Sequence, residues 1–197
     1  MSYSMDSSGE SCYPGTTVLI NKLGIREQTI LTDTEQTIAS LHSIEIENSP
    51  PSEPFTFEFY CSLHRRLFSD IYDWAGQLRT VNISKQTTRF YPASDLQSMG
   101  NAKFAYLQEM QEFSNLPRSE FIAEITDFYH ELNMLHPFRE GNGRTQRLFF
   151  TLLIRRAGYD ILFSDCDLSQ LMVATVYAAQ GVTDYLHNFF ENSILSK

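Results

Sequence analysis

The chain has 197 residues, of which 42% are hydrophobic and 20% charged, so it can bury a core as one domain and is not a disordered chain. Its formal net charge of -9 excludes a protein that binds nucleic acid directly by neutralising phosphates along a basic surface. No stretch reaches the ~20 apolar residues of a membrane span, and we expect no export leader before the fold. The three cysteines are widely spaced, which does not suit a disulfide framework. We therefore expect a cytoplasmic protein. Delivery into another cell as an effector stays open.

The amino-terminal part of the chain predicts a tail followed by two helices. Residues 1–12 are rich in Ser and Gly without periodicity, which predicts a flexible tail before a single domain of residues 13–197. Apolar residues between 16 and 23, closed by a glycine, predict a short helix. A second helix is predicted from Thr34 into the forties, and the proline cluster at 49–54 ends it.

Six later segments repeat apolar residues every three to four positions, which predicts amphipathic helices. They cover residues 55–71, 95–113, 119–135, 144–157, 168–176 and 186–194. Between Arg79 and Tyr91 the residues are β-branched or aromatic around a short turn, which predicts a small hairpin. The predicted fold class is therefore all-α, a helical bundle with one small β-hairpin.

One segment, HPFREGNGRTQR at residues 136–147, differs from the apolar helices on either side of it. Pro137 ends the preceding helix, which predicts that the His136 imidazole lies at an exposed helix terminus and can act as a general base. Glycines at 141 and 143 permit the left-handed backbone in which successive N–H groups converge on an anion. The helix that follows adds the positive end of its dipole.

The charged residues of this segment indicate a phosphate ligand. Arg144 and Arg147 are three residues apart, hence on one helix face, and together would neutralise a phosphate chain. Glu140 is placed to hold Mg²⁺, which binds carboxylate and phosphate oxygens together. A base, a metal carboxylate and an anion site favour phosphoryl or nucleotidyl transfer to a hydroxyl supplied from elsewhere. The Walker-type and dinucleotide-binding glycine motifs do not occur in the sequence.

This segment resembles the signature HPFxxGNGRxxR of Fic-domain proteins, with no departure from it. A looser resemblance runs from residue 13 through the corner at 73–76 and the hairpin to the end of the chain. The resemblance implies a Fic-type helical bundle with a β-hairpin flap. It also implies a protein adenylyltransferase that moves AMP from Mg-ATP to a Ser, Thr or Tyr hydroxyl of a target protein.

The resemblance also assigns roles to individual residues. His136 becomes the general base and Glu140 the magnesium ligand. The nucleotide phosphates are expected on the remaining signature residues, with Asn142 near the α-phosphate: Gly141, Asn142, Gly143, Arg144 and Arg147. Flap residues are expected to clamp the target segment by strand-like backbone pairing: Ile83, Lys85, Thr88 and Phe90.

Many relatives are restrained by a helix with the pattern (S/T)xxxE(G/N), whose glutamate pairs with the second signature arginine, here Arg147. The chain has one match, in which Ser43 and Glu47 occupy the two defining positions. Because so short a pattern arises by chance, we expect a toxin-like or effector-like enzyme that a small antitoxin restrains in trans. Two alternatives stay open: a transferase of this fold that uses another phosphate-containing donor, and a nucleotide-binding module without catalysis.

Overall fold

The computed structural model describes residues 4–5, 12–85 and 88–196. These residues form a helical bundle with two small sheets, which confirms the predicted fold class. The helices are α1 (Gln28–Asn48), α2 (Phe57–Phe68), α3 (Leu96–Glu109), α4 (Arg118–Leu135), α5 (Asn142–Arg156), α6 (Leu168–Ala178) and α7 (Asp184–Ser193).

The strands are β1 (Ser4–Met5), β2 (Ile83–Lys85), β3 (Thr88–Arg89), β4 (Tyr159–Asp160) and β5 (Leu195–Ser196). The first three form an antiparallel sheet in the order β1-β2-β3, with Met5 opposite Ile83 and Lys85 opposite Thr88. The β2–β3 pair is the predicted hairpin. The prediction of a single β element was incomplete, because β1 extends the hairpin and β4 pairs with β5.

The predicted tail lies mostly outside the described residues. Within it, Ser4–Met5 form β1, and Cys12 makes a β-bridge with Leu19. The described fold therefore includes residues on the amino-terminal side of the expected boundary at 13.

The helix predicted between residues 16 and 23 was wrong, because this segment forms turns and extended backbone. The buried Asn21 side chain explains the difference: its amide donates to the carbonyls of Leu19 and Ile25 and accepts from the Ile25 N–H. Such bonds between a side chain and nearby backbone compete with helical hydrogen bonding. The next helix, α1, begins at Gln28, six residues before the predicted start at Thr34.

Aromatic rings fill the core beneath α5. The Phe149 ring meets the rings of Phe55, Tyr60 and Phe104 edge-on, at centroid distances of 5.3 to 5.4 Å. Each such ring buries a large apolar area, which contributes roughly 1.5–3 kcal/mol, and the edge-on geometry adds to it. The core therefore fixes α5, whose first two turns carry the last four signature residues: Asn142, Gly143, Arg144 and Arg147.

Candidate active site

The loop between α4 and α5 begins at a strained residue. His136 caps α4 with φ 42°, a left-handed conformation that is rare outside glycine, and its N–H still donates to the Leu132 carbonyl at 3.1 Å. Pro137 follows and stops the helix, as the sequence predicts. Backbone strain of this kind is concentrated at functional sites.

The His136 imidazole is held in one tautomer. Its Nδ1 lies 3.1 Å from the Asn133 carbonyl oxygen, an acceptor only, so Nδ1 carries the proton and Nε2 the lone pair. The Phe90 ring stacks on the imidazole at 3.8 Å between centroids. The expectation of an exposed imidazole was wrong, because only 6% of the residue is accessible. Burial lowers the His136 pKa to about 3, so the ring is neutral near pH 7.

Asn142 closes the loop with its own side chain. Its Oδ1 accepts from the Phe138 N–H at 2.8 Å and its Nδ2 donates to the Phe138 carbonyl at 2.7 Å. Because Oδ1 and one N–H of Nδ2 are engaged within the loop, Asn142 keeps its second amide N–H and its backbone N–H as donors for a phosphate. Its place near the α-phosphate stays a prediction, and its side chain shapes the loop through the two bonds to Phe138.

Arg144 lies at the start of α5 between two carboxylates. Its Nη2 is 2.6 Å from Oε2 of Glu35, a buried residue of α1, and 3.6 Å from Oε1 of Glu140. The guanidinium also covers the Phe68 ring, with Cζ 4.8 Å from the centroid. No feature of the sequence pointed to Glu35, because it lies 109 residues from Arg144 and outside any motif.

Arg147 lies one turn further along α5. Burial lowers its pKa from the ordinary arginine value, and the neighbouring charge of Arg144 acts in the same direction. Within residues 12–85 and 88–196, no carboxylate lies within ion-pair distance of this guanidinium. An anionic ligand would relieve this uncompensated charge.

Glu140 fits a magnesium ion that arrives with a nucleotide. Its Oε1 accepts from the Gly141 N–H at 2.8 Å, and about a third of its side chain is accessible. Among the described residues no cluster of three carboxylate, His or Cys groups could hold a metal on its own. One protein carboxylate together with substrate phosphates is the usual way that Mg²⁺ is bound in such sites.

A cavity of about 410 Å³ opens beside His136. The flap supplies part of its lining through Lys85, Thr88 and Phe90, whereas the Ile83 side chain is buried and does not line it. The rest comes largely from α6, which the sequence indicated only as a packing helix, and from one residue after its end: Met172, Val173, Thr175, Val176 and Tyr177 of the helix, and Gln180 beyond it. These α6 residues have no recognisable motif.

Two buried residues that the sequence did not single out hold the loop in place. Arg79 donates to the carbonyls of His136 (2.8 Å) and Val81 (2.8 Å), and so joins the hairpin base to the catalytic loop. His64 accepts from the Gly76 N–H at 2.8 Å through Nδ1 and donates from Nε2 to the Glu140 carbonyl at 2.9 Å. Burial lowers the His64 pKa to about 4.

The candidate inhibitory motif lies elsewhere on the fold. Ser43 donates to Glu47 Oε1 at 3.2 Å, and Glu47 Oε2 is 2.8 Å from Nη1 of Arg155 at the far end of α5. The structure therefore brings Glu47 to Arg155 and not to Arg147.

No helix among the described residues is both long and apolar enough to span a membrane.

Comparison with known proteins gives a family match that spans the loop between α4 and α5. The model of the Fic/DOC family matches residues 54–154, which include the whole loop and most of α5. A relative from Salmonella typhimurium, named "Probable protein adenylyltransferase Fic", is 34% identical over 92% of this chain and 90% of its own length.

Solved structures share the fold. The BepC protein of Bartonella tribocorum with bound AMPPNP superposes with a TM-score of 0.88 over 95% of this chain and 97% of that one, at 24% identity. The amino-terminal Fic domain of a Bartonella quintana effector with bound ADP gives a TM-score of 0.88 over 95% of both chains, at 25% identity. The helical bundle with its flap is thus the fold of these nucleotide-bound proteins.

Proposed function

The chain belongs to the Fic/DOC family, and from this premise we propose that it is a protein adenylyltransferase that transfers AMP from Mg-ATP to a hydroxyl of a target protein. A relative that matches nearly its whole length is named for this activity. The single observation that carries the proposal is the His136 imidazole, neutral and in a fixed tautomer, one short loop from the anion-binding start of α5.

In the proposed reaction a Ser, Thr or Tyr hydroxyl of the target gives its proton to His136 Nε2. The hydroxyl oxygen then forms a bond to the α-phosphorus of ATP while the bond from that phosphorus to the bridging β-oxygen breaks. Pyrophosphate leaves, and AMP stays on the target. General-base assistance of this kind typically contributes 10²- to 10⁴-fold in rate.

The triphosphate is proposed to lie on the first turn of α5. The Gly141 N–H already donates to Glu140, but the backbone N–H groups of Asn142 and Gly143 begin α5 without an intrahelical acceptor, and the dipole of the helix favours negative charge there. Arg144 and Arg147 would bind the β- and γ-phosphates and balance the charge of the leaving pyrophosphate. Glu140 would hold Mg²⁺ against the phosphates, where the ion supplies charge neutralisation.

The cavity beside His136 suits the nucleoside. Its volume of about 410 Å³ is in the range of small-molecule sites, and its apolar and aromatic lining suits a flat base. We propose that the target enters from the flap. In the order β1-β2-β3, both outer strands have a single neighbour among the described residues, and we propose that a target segment adds to β3, the outer strand that belongs to the flap.

We propose restraint in trans rather than by Glu47. The Glu47 carboxylate is paired with Arg155, whereas Arg147 has no carboxylate partner within the described part of the chain. A glutamate from the inhibitory helix of a small antitoxin would complete this ion pair and exclude the γ-phosphate. Such restraint suits a cytoplasmic toxin-like or effector-like enzyme.

The test is transfer of labelled AMP from ATP to proteins of a cell lysate and to the enzyme itself. His136→Ala should reduce labelling at least a hundredfold while ATP still binds, because the base is lost and the phosphate site is kept. Undiminished labelling would contradict the proposed mechanism. ATP binding without labelling by the wild-type protein would favour a binding module, and labelling from UTP or CDP-choline alone would favour another donor.

A further inference from the structure

A buried carboxylate outside the signature contacts the first signature arginine. Glu35 lies on α1, is 5% accessible, and places Oε2 2.6 Å from Nη2 of Arg144. Its second oxygen accepts from the hydroxyl of Tyr72, which is itself stacked on Trp74 at 4.3 Å between ring centroids. Both oxygens of the carboxylate are therefore engaged, and Glu35 cannot follow Arg144 into solvent.

We propose that Glu35 is a positioning residue that holds the Arg144 guanidinium where it meets the β- or γ-phosphate of ATP. The inference rests on the proposed function, because it assigns Arg144 to those phosphates. Glu35 itself does not touch the nucleotide in this proposal; it acts through Arg144.

Besides the longer 3.6 Å approach to Glu140, two contacts fix the guanidinium. The Phe68 ring lies beneath it and restrains its plane, while Glu35 holds one end through Nη2. The guanidinium has five N–H donors in a rigid fork, so the donors away from Nη2 can still bind a phosphate. Without Glu35, the long side chain would have to give up its rotamer freedom each time a nucleotide binds.

A contribution to folding stability does not by itself explain why Glu35 and Arg144 form a buried ion pair. Burial of a carboxylate carries a large desolvation penalty, and buried ion pairs often add little net stability over apolar replacements. Burial, followed by the Glu35 charge, also raises the pKa of Tyr72, so its hydroxyl stays protonated and remains a donor to Glu35. The arrangement matches the general pattern in which a supporting group orients a ligand-binding side chain.

The chain offers a matched control on the same two helices. Glu47 of α1 pairs with Arg155 of α5 at 2.8 Å, with the same chemical groups, but at the end of α5 remote from its anion-binding first turn. Glu47→Gln and Glu35→Gln therefore remove the same charge from the same helix, and only the second is next to a signature residue.

The experiment measures the affinities of ATP, ADP and AMP by calorimetry for the wild-type protein and both variants. Glu35→Gln should weaken ATP and ADP about tenfold and leave AMP unchanged, because AMP has neither a β- nor a γ-phosphate for Arg144. Glu47→Gln should leave all three affinities unchanged. In an Arg144→Gln background, Glu35→Gln should have no further effect on ATP.

Equal weakening of ATP and AMP by Glu35→Gln would indicate a structural role and overturn the inference, as would no weakening of either. If Glu35→Gln does not fold, Tyr72→Phe removes only the bond to the second oxygen of the same carboxylate. It should weaken ATP about threefold and spare AMP; equal or absent effects on the two nucleotides would again overturn the inference. Failure of the wild-type protein to bind ATP would instead contradict the proposed function.

Discussion

Gly141 joins the backbone of the signature loop to the packing beneath it. Its φ is +79°, and a Cβ at this position would lie 2.5 Å from Cε2 of Phe68, the ring that also supports Arg144. The position therefore requires glycine twice, for conformation and for space. The sequence predicts the conformational need, whereas the identity of Phe68 as the neighbour comes from the way α2 packs against the loop.

Comparison of Gly141 with Gly158 separates the conformational requirement for glycine from the steric one. Gly158 has a similar positive φ of +95°, but a Cβ at this position would meet open space, so Gly158→Ala should cost about 1 kcal/mol from backbone strain alone. Gly141→Ala should cost roughly 3 kcal/mol or more, because a clash with Phe68 adds to the strain. Thermal unfolding of both variants checks this, and equal midpoints would contradict the steric argument.

At the scale of elements, His64 connects α2 with the 73–76 corner and with the catalytic loop. It accepts from Gly76 and donates to the Glu140 carbonyl, and its ring stacks on Phe138 at 3.9 Å. Only the neutral imidazole can accept through one nitrogen and donate through the other. Protonation of His64 would therefore break the bond to Gly76 and disturb the loop that carries Glu140.

The fold should accordingly lose stability in mild acid. The His64 pKa is about 4 in the folded protein against 6.5 ordinarily, so between these values the unfolded chain binds more protons. The free energy of unfolding should fall as the pH drops from about 6.5 towards 4, by up to ~1.4 kcal/mol per pH unit for each such group. Because the His136 pKa is about 3, this residue extends the pH range over which stability falls to values below 4.

His64→Gln tests this assignment, because glutamine keeps a donor and an acceptor but does not titrate. Urea unfolding between pH 4 and 7 should give a shallower pH dependence than in the wild-type protein. Adding His136→Ala should make it shallower again. An unchanged slope in both variants would assign acid sensitivity to other groups.

At the scale of the whole molecule, α1 is fastened to both ends of α5. Glu35 contacts Arg144 in the first turn and Glu47 contacts Arg155 in the last, across sequence separations of 109 and 108 residues. Arg155 also pairs with Asp160 at 2.7 Å, so this guanidinium joins α1, α5 and β4. The helix that carries the candidate inhibitory pattern is thus a fixed part of the bundle.

Glu47→Gly tests restraint at this scale. The variant should lose about 1–2 kcal/mol of unfolding free energy, from the missing ion pair and the glycine near the end of α1. Self-modification with labelled ATP should change less than twofold, because Arg147 loses no partner. A large activation would instead assign restraint to Glu47 in cis.

Local patterns in the sequence were enough to predict the class of fold, the helices from α2 onward, the hairpin and the signature loop. These features depend on local periodicity, on Pro137 and the loop glycines, and on a dense motif, all readable within a few turns of chain. Four further features became visible only in the folded chain: Asn142 binds its own loop, Phe90 covers His136, α6 lines the cavity, and Glu35 contacts Arg144. These contacts join residues that are distant in the chain, or they depend on the direction of a side chain. Burial strengthens them, but they produce no periodic pattern in the sequence.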